Sequence, residues 1–140
     1  MIKFQVKLSG DIAKKLEARS EKALRAATYT MWFLMRKRIF NDGLKASGSP
    51  IGSYSASYLK RRQKPPYNRT SDDKKILVLT DSLRLNFVFD AISKTSYAIG
   101  VNGALNRLKV EWNDPTNEIF IISQTEARLG QEAFEKEMNS

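Results

Sequence analysis

The chain has 140 residues, a length that is enough for one globular domain with a buried core and too short for two. Hydrophobic residues make up 41% of it, near the average of globular proteins. It contains neither cysteine nor histidine. Disulfide bonds and thiolate catalysis are therefore excluded, and the usual ligands and bases of zinc sites and proton shuttles are missing. We expect a single domain over residues 1–140 that is not an enzyme and holds no metal or cofactor.

The positive charge is concentrated in one part of the sequence. The formal net charge is +9, and residues 36–84 contain 12 of the 24 Lys and Arg residues but only four of the 15 acidic ones. Residues 44–75 are rich in Gly, Pro and Tyr and lack sustained apolar periodicity, which predicts a long basic arm set into the domain. Such a cluster of cations indicates a polyanionic or acidic protein partner, and the alternative is a loop that is charged only to stay solvated.

The N-terminal third has first a strand period and then a helical period. Apolar residues at every second position of Ile2–Leu8 predict a strand with one buried face rather than a signal peptide. Ser9 or Asp11 can then cap a long amphipathic helix that runs to about Phe40. Aromatic residues widen its apolar stripe, which predicts burial against the sheet, with a neighbouring subunit as a further covering: Tyr29, Trp32, Phe33 and Phe40.

Turn and cap residues divide the middle of the chain. Gly43 suits the left-handed position that ends the long helix. In the arm, Ser55–Gln63 predicts a short helix that Ser55 caps and Pro65-Pro66 terminates. Two alternating segments, Leu85–Ala91 and Tyr97–Val101, predict an antiparallel hairpin. The predicted fold class is therefore α+β, with the long N-terminal helix packed on a small antiparallel sheet.

The C-terminal third is predicted to add one strand and one helix. Arg107–Trp112 predicts a short strand, which Asp114-Pro115 ends. Ile119–Ile122 is apolar enough to dock on the core. Ser123 and Glu126 have the spacing of a capping box, which predicts a final helix that runs to about residue 138.

The final helix and the core are predicted from apolar phase. The helix has a modest apolar face of Ala127, Phe134 and Met138, and Gly130 is a weak point near its middle. Residues that share the inward phase of their elements form the predicted core: Ile2, Phe4, Val6, Leu16, Ala27, Met31, Leu34, Leu83, Phe87 and Ile99.

The only residues that point to a binding function lie in the basic arm. The carboxylate pairs Asp72-Asp73 and Glu135 with Glu137 have polar surroundings and are interpreted as surface charge. In the arm, basic residues that can contact phosphates alternate with tyrosines that can stack on bases or anchor a protein interface. The predicted partner-facing or DNA-facing residues are Tyr58, Lys60, Arg61, Arg62, Lys64, Tyr67, Arg69, Lys74 and Lys75.

Several short segments, taken in order over about residues 30–125, resemble the phage virion morphogenesis family, also called tail completion proteins. The matching segments are Arg38 to Phe40 at the end of the long helix, Pro50-Ile51-Gly52 with Tyr54, Ser55 to Lys60, Ile76-Leu77 with Thr80 and Leu83, and Ile99 to Asn102. The chain departs from the family pattern at Asp81, where a glycine is usual, and at Ala104 to Trp112, where a histidine-bearing stretch is common. The resemblance implies a structural role for five positions of these motifs: Pro50, Gly52, Thr80, Leu83 and Gly100.

This resemblance implies a structural subunit without enzymatic activity, which forms a homo-oligomeric ring at the head-tail junction or tail end of a bacteriophage. It implies neighbouring portal, connector or tail-tube proteins as partners, assembly in the host cytoplasm, and a final place in the virion. The arm then faces either genomic DNA in the channel or an acidic surface of an adjacent protein. No apolar run is long enough to span a membrane. The alternative function is a free, non-specific DNA- or RNA-binding protein that uses the arm.

Overall fold

A computed structural model describes residues 3–7, 17–69, 75, 77 and 82–140. The described elements confirm the α+β class, and in chain order they are β1 (Lys3–Lys7), α1 (Glu17–Lys37), a π-helical turn (Arg38–Asp42), α2 (Ala56–Gln63), α3 (Ser82–Leu85), β2 (Phe87–Ser93), β3 (Ser96–Val101), α4 (Ala104–Asn113) and α5 (Gln124–Met138). Several predictions lie outside the described residues: those for Ile2, Ser9, Asp11, Leu16, Asp72, Asp73, Lys74, Ile76, Thr80 and Asp81, and for the side chains of Phe4 and Val6.

The sheet has three antiparallel strands in the order β1-β3-β2. Ile99 of the central strand pairs with Phe4 of β1 on one side and with Phe89 of β2 on the other. Every residue of β3 is buried, as expected for a strand between two others. The predicted hairpin and N-terminal strand are therefore confirmed, although Leu85 belongs to α3 and the hairpin begins two residues later.

Helix α1 buries one stripe against the sheet and α5. Residues spaced three or four apart form this stripe: Ala23, Leu24, Ala27, Met31 and Met35. The prediction that Leu34 belongs to the core is wrong, because Met35 takes the inward position one turn after Met31 and leaves Leu34 only partly buried. Beyond Lys37 the helix widens into the π-helical turn, and Gly43 ends it in the left-handed conformation at φ 64° and ψ 42°.

Helices α1 and α5 are in close contact at Gly130. A Cβ atom at this position would lie 2.6 Å from Cγ of Met31. The glycine predicted as a weak point is therefore the residue that lets the two helices pack. The prediction that Ala127 belongs to the buried face of α5 is wrong: Ala127 is exposed, and the buried face continues from Glu126 to Gly130 and the partly buried Phe134 at intervals of four.

The segment predicted as a last strand is helix α4. Its sequence alternates from Arg107 to Trp112, but Asn106 and Val110 are also one helical turn apart, and these two are its buried residues. The Asn106 side-chain amide donates to the carbonyl of Asn102 at 3.0 Å and so satisfies an acceptor just before the helix begins. The helical period therefore decides the structure, and the residues at the other phase face outward.

The centre of the core is aromatic. Phe40 contacts Phe87 and Phe120 with ring centroids 5.7 and 6.2 Å apart, and Phe87 contacts Phe120 at 6.1 Å, all edge to face. Phe120 reaches this position because the buried carboxylate of Asp114 accepts hydrogen bonds from the amides of Glu118, Ile119 and Phe120 at 2.7 to 3.1 Å. The predicted docking of this segment on the core is confirmed.

Candidate functional site: a basic arm and two exposed apolar faces

A buried arginine clamp joins the arm to the rest of the fold. All five N–H donors of Arg38 are used: two donate to the carboxylate of Glu126, at 2.6 and 3.2 Å, and three to backbone carbonyls. The carbonyls belong to Leu44, at the start of the arm, and to Ile119 and Ile121. One side chain thus fixes the end of α1, the arm, the 119–121 segment and the beginning of α5.

Sequence reasoning noticed both members of this pair but not their contact. Arg38 was noted only as part of the segment Arg38 to Phe40 at the end of the long helix. Glu126 was noted only as part of a capping box with Ser123, which the structure confirms. The signal that was available is an arginine at a buried phase of an apolar helix, since such a charge needs an acidic partner. The partner itself is 88 residues away, and nothing local identifies it.

The base of the arm is tied to the fold by backbone contacts. Leu44 pairs with Pro50 in an isolated bridge, and the amide of Ala46 donates to the carbonyl of Glu118 at 2.9 Å. The Lys45 ammonium and the Thr116 hydroxyl both donate to the Glu118 carboxylate, and these hydrogen bonds hold the pKa of that carboxyl below its usual range. The arm therefore leaves the domain from a fixed base.

The positions singled out by the resemblance divide between this base and the core. Pro50 is exposed at the bridge with Leu44, and the carbonyl of Gly52 accepts from the amide of Lys75 at 2.9 Å. Leu83 and Gly100 are buried in the core and in the central strand. Thr80 lies outside the described residues.

Within the arm, Arg62 is buried among tyrosine rings. Ser55 caps α2 as predicted and accepts from the amide of Tyr58. The guanidinium of Arg62 lies 4.2 Å from the ring centroid of Tyr54 and 6.0 Å from that of Tyr58, and the residue is 4% exposed. In the described part of the chain its Nε and Nη1 have no hydrogen-bond partner. Arg62 therefore does not present its charge to a partner, because its helix phase and flat cation favour stacking inside the arm.

Three basic residues of the arm do face solvent. Lys60, Arg61 and Lys64 are exposed. Lys60 and Arg61 are neighbours on α2, at 100° to each other, and Lys64 follows the end of this helix. Tyr67 is half-buried beneath the guanidinium of Arg61, and the distance from Cζ of Arg61 to the ring centroid of Tyr67 is 5.9 Å. The remaining predicted residues are partly buried: Tyr58, Arg69 and Lys75, whereas Lys74 lies outside the described residues.

The outer side of α1 carries what we call the cationic aromatic face, formed by Tyr29 and Phe33 with Arg25, Arg36 and Lys37 around them. Tyr29 and Phe33 are 51% and 50% exposed and stack on each other with centroids 6.3 Å apart. Arg25 and Lys37 are exposed, one turn before and one turn after this pair. The predicted covering of these aromatics by the sheet holds for Trp32, which contacts Phe89 at 5.4 Å, but half of each outer ring stays open.

A second apolar surface lies on α4, and we call it the leucine-tryptophan face. Leu105, Leu108 and Trp112 follow each other along one side of α4 and are 59%, 42% and 67% exposed. Leu85 is 68% exposed on α3, which contacts α4 through a hydrogen bond from Ser82 to Asn106. Sequence reasoning missed this face because it predicted a strand, in which Leu105 lies outside the element.

The described part of the chain contains no group of three acidic side chains that could hold a metal ion. An open cleft lies between the arm base and the start of α5, and its lining has no ionisable side chain: Ala46, Ser47, Ile121, Ile122, Ser123, Gln124 and Thr125. Among the helices that the structure describes, none combines the length and the apolar character needed to cross a bilayer.

Comparison of the chain with protein families, with curated proteins and with solved structures finds no match.

Proposed function

We propose that the protein is a structural subunit of a bacteriophage virion, of the tail completion kind, which assembles into a ring at the head-tail junction or at the tail end. The ordered motifs from Arg38 to Asn102 support this proposal through the family they resemble. The observation that carries it is the presence of two separate apolar surfaces, the cationic aromatic face and the leucine-tryptophan face. Large exposed apolar patches on a small protein mark surfaces that other proteins cover.

A ring subunit at a junction needs more than one protein contact. It meets its own copies, and it also meets a neighbouring portal, connector or tail-tube protein. In this proposal the leucine-tryptophan face packs against a different surface of the next copy, so that the contact is head to tail and repeats around a closed ring. Trp112, the most exposed residue of α4 on this face, is the expected anchor, since tryptophan often dominates binding energy in interfaces.

Light scattering over a concentration series, followed by negative-stain imaging, tests the proposal. We expect closed rings of the full chain at high concentration and their loss in Trp112→Ser and Leu108→Ser. Ile92→Ser is the matched control, because Ile92 is a half-exposed apolar residue of β2 outside both faces. A chain that stays monomeric at every concentration, or rings that persist in both face variants, would contradict the proposal.

A second candidate function is non-specific nucleic-acid binding, and the exposed cations Lys60, Arg61 and Lys64 favour it. It predicts binding of duplex DNA without sequence preference, with a logarithmic salt slope of about 0.9 per phosphate neutralised. Lys60→Glu with Lys64→Glu removes two of these cations and should reduce the slope by about two. Salt-independent binding, or no DNA binding, excludes this function for the arm.

A further inference from the structure

We infer that the cationic aromatic face of α1 binds an acidic protein surface that belongs to a different virion protein, not to a second copy of this chain. The inference rests on the proposed function and names the partner chemistry of one of its surfaces. The sequence predicts an acidic protein partner only for the basic arm, and here α1 is the element that binds one.

The aromatic part of this face is held in place before any partner arrives. Tyr29 and Phe33 stack with an angle of 21° between their planes, and Tyr29 also meets Phe89 edge to face at 6.0 Å. Beneath them Trp32 donates its indole N–H to the carbonyl of Phe87 at 2.9 Å. Rings fixed in this way lose little conformational entropy when they become buried, which is the property of interface anchors.

The charges of α1 next to the rings are positive, and the nearest acid on the same side of the helix is Glu21, one turn before Arg25. From Lys22 to Lys37 the helix contains no Asp or Glu, and the guanidinium of Arg36 lies 5.7 Å from the ring centroid of Trp32. Arg25 and Lys37 are exposed at the two ends. On β2 the nearest acid in sequence to Phe89 is Asp90, and successive strand residues face opposite sides of a sheet. The face is therefore complementary to apolar side chains with carboxylates around them.

The same features argue against the two other classes of partner. A second copy presents the same cationic face, so two of these faces would repel each other in a symmetric contact, and the ring contact is assigned to the leucine-tryptophan face instead. A nucleic acid would use the rings as stacking platforms, but Tyr29 and Phe33 stack on each other at 6.3 Å and leave no slot between them for a base. An acidic protein surface uses both the exposed ring faces and the cations.

The test uses the full chain and three labelled probes. The first probe is an amphipathic helical peptide with leucine and phenylalanine on one side and glutamates beside them. The second has lysine in place of each glutamate, and the third is an oligothymidylate. Binding is measured by fluorescence anisotropy for the wild type, for Phe33→Ser, and for the double variant Arg25→Glu with Lys37→Glu. The arm double variant Lys60→Glu with Lys64→Glu is the matched control, because it changes the net charge by the same amount.

We expect the glutamate peptide to bind the wild type and both α1 variants to weaken it by at least about tenfold. The arm control should retain wild-type affinity, and circular dichroism should show that every variant is folded. Equal weakening in the arm control, equal binding of the lysine peptide, tighter binding of oligothymidylate, or no binding of any probe would each overturn the inference.

Light scattering on the same samples separates this inference from the proposed function. Loss of rings in the α1 variants would mean that the face contacts a second copy, which overturns the inference and leaves the ring subunit standing. Loss of the glutamate peptide with rings intact supports both. Retained peptide binding by a chain that never forms rings supports the inference and contradicts the ring.

Discussion

Two arginines are buried in this protein, and their surroundings differ in kind. Arg38 is 8% exposed and donates all five of its hydrogen bonds, two of them to a carboxylate. Arg62 is 4% exposed and is held by the ring faces of Tyr54 and Tyr58, with no hydrogen-bond partner for Nε and Nη1 among the described residues. Hydrogen bonds to fixed carbonyls demand one geometry, whereas stacking on rings tolerates small shifts. The comparison predicts that the stability of the whole domain depends on Arg38, whereas Arg62 affects only the local stability of the arm.

The largest expected effect is from Arg38→Met. The variant leaves the Glu126 carboxylate buried without its cation, and removing one partner of a buried ion pair costs about 3–5 kcal/mol. Urea unfolding should show this loss of free energy. The double variant Arg38→Met with Glu126→Met should recover much of it, because replacing both charges with apolar side chains of similar size is often neutral. If the single and double variants are equally unstable, the ion pair is not the cause.

A smaller loss of stability is expected from Asp114→Ala. This variant leaves Arg38 in place but frees the segment that carries one of its acceptors, the carbonyl of Ile119. The carboxylate holds the amides of Glu118, Ile119 and Phe120, so its loss leaves donors unpaired and lets the Ile119 carbonyl move from Arg38. Leaving a buried donor unpaired costs about 1–3 kcal/mol. Asp90→Ala, which removes an exposed carboxylate, is the control. Equal melting temperatures of the two variants would disprove this role.

Arg62→Met should change the free energy of global unfolding by less than about 1 kcal/mol, because the lost cation-π contact and the removal of unpaired buried donors act in opposite directions. Its effect should instead be local. Amides of residues 55–69 should exchange faster with solvent than in the wild type, while those of β3 stay unchanged. In the wild type we expect arm amides to exchange faster than β3 amides, since the arm buries little apolar surface. A loss of global stability as large as that of Arg38→Met would erase the distinction between the two arginines.

The smallest expected effect concerns Glu118, beside the clamp. Its pKa is lowered first by the hydrogen bond from Lys45, then by the hydrogen bond from Thr116 and by the charge of Lys45. A carboxyl with a lowered pKa in the folded state adds stability above its unfolded pKa, and this is lost as the pH falls through the folded value. Lys45→Met should raise the pKa of Glu118, which an NMR titration would detect, with little change in unfolding because this pair lies at the surface. An unchanged titration would show that Lys45 is not the cause.

Local patterns were enough to predict most of the elements. The α+β class, the hairpin, the Ser55 cap, the left-handed Gly43 and the capping box of α5 each follow from a few neighbouring residues, and each is confirmed. Helix α4 was missed because its residues satisfy two periods at once, and only packing of Asn106 and Val110 decides between them.

The candidate site was predicted less completely, because its geometry depends on distant contacts. Which arm residues face solvent depends on how Tyr54 and Tyr58 stack on Arg62. The sequence therefore predicts an outward Arg62, which is buried, although it correctly predicts that Lys60 and Lys64 are exposed. The half-open rings of Tyr29 and Phe33 depend on where the edge of the sheet ends. The sequence of α1 alone does not indicate where the sheet stops covering its aromatic residues.

The π-helical turn at Arg38–Asp42 fixes the length of the chain at this point. A π-turn holds one residue more than the α-helical turn it replaces, and each residue of an α-helix rotates the next by 100°. Deleting a residue after Arg38 would restore a regular helix and rotate the following residues relative to Arg38, which moves the carbonyl of Leu44 away from its guanidinium. The five residues of this turn are therefore expected to be intolerant of insertion and deletion, whereas the exposed turn at Ser47 and Gly48, within the base of the arm, can change in length.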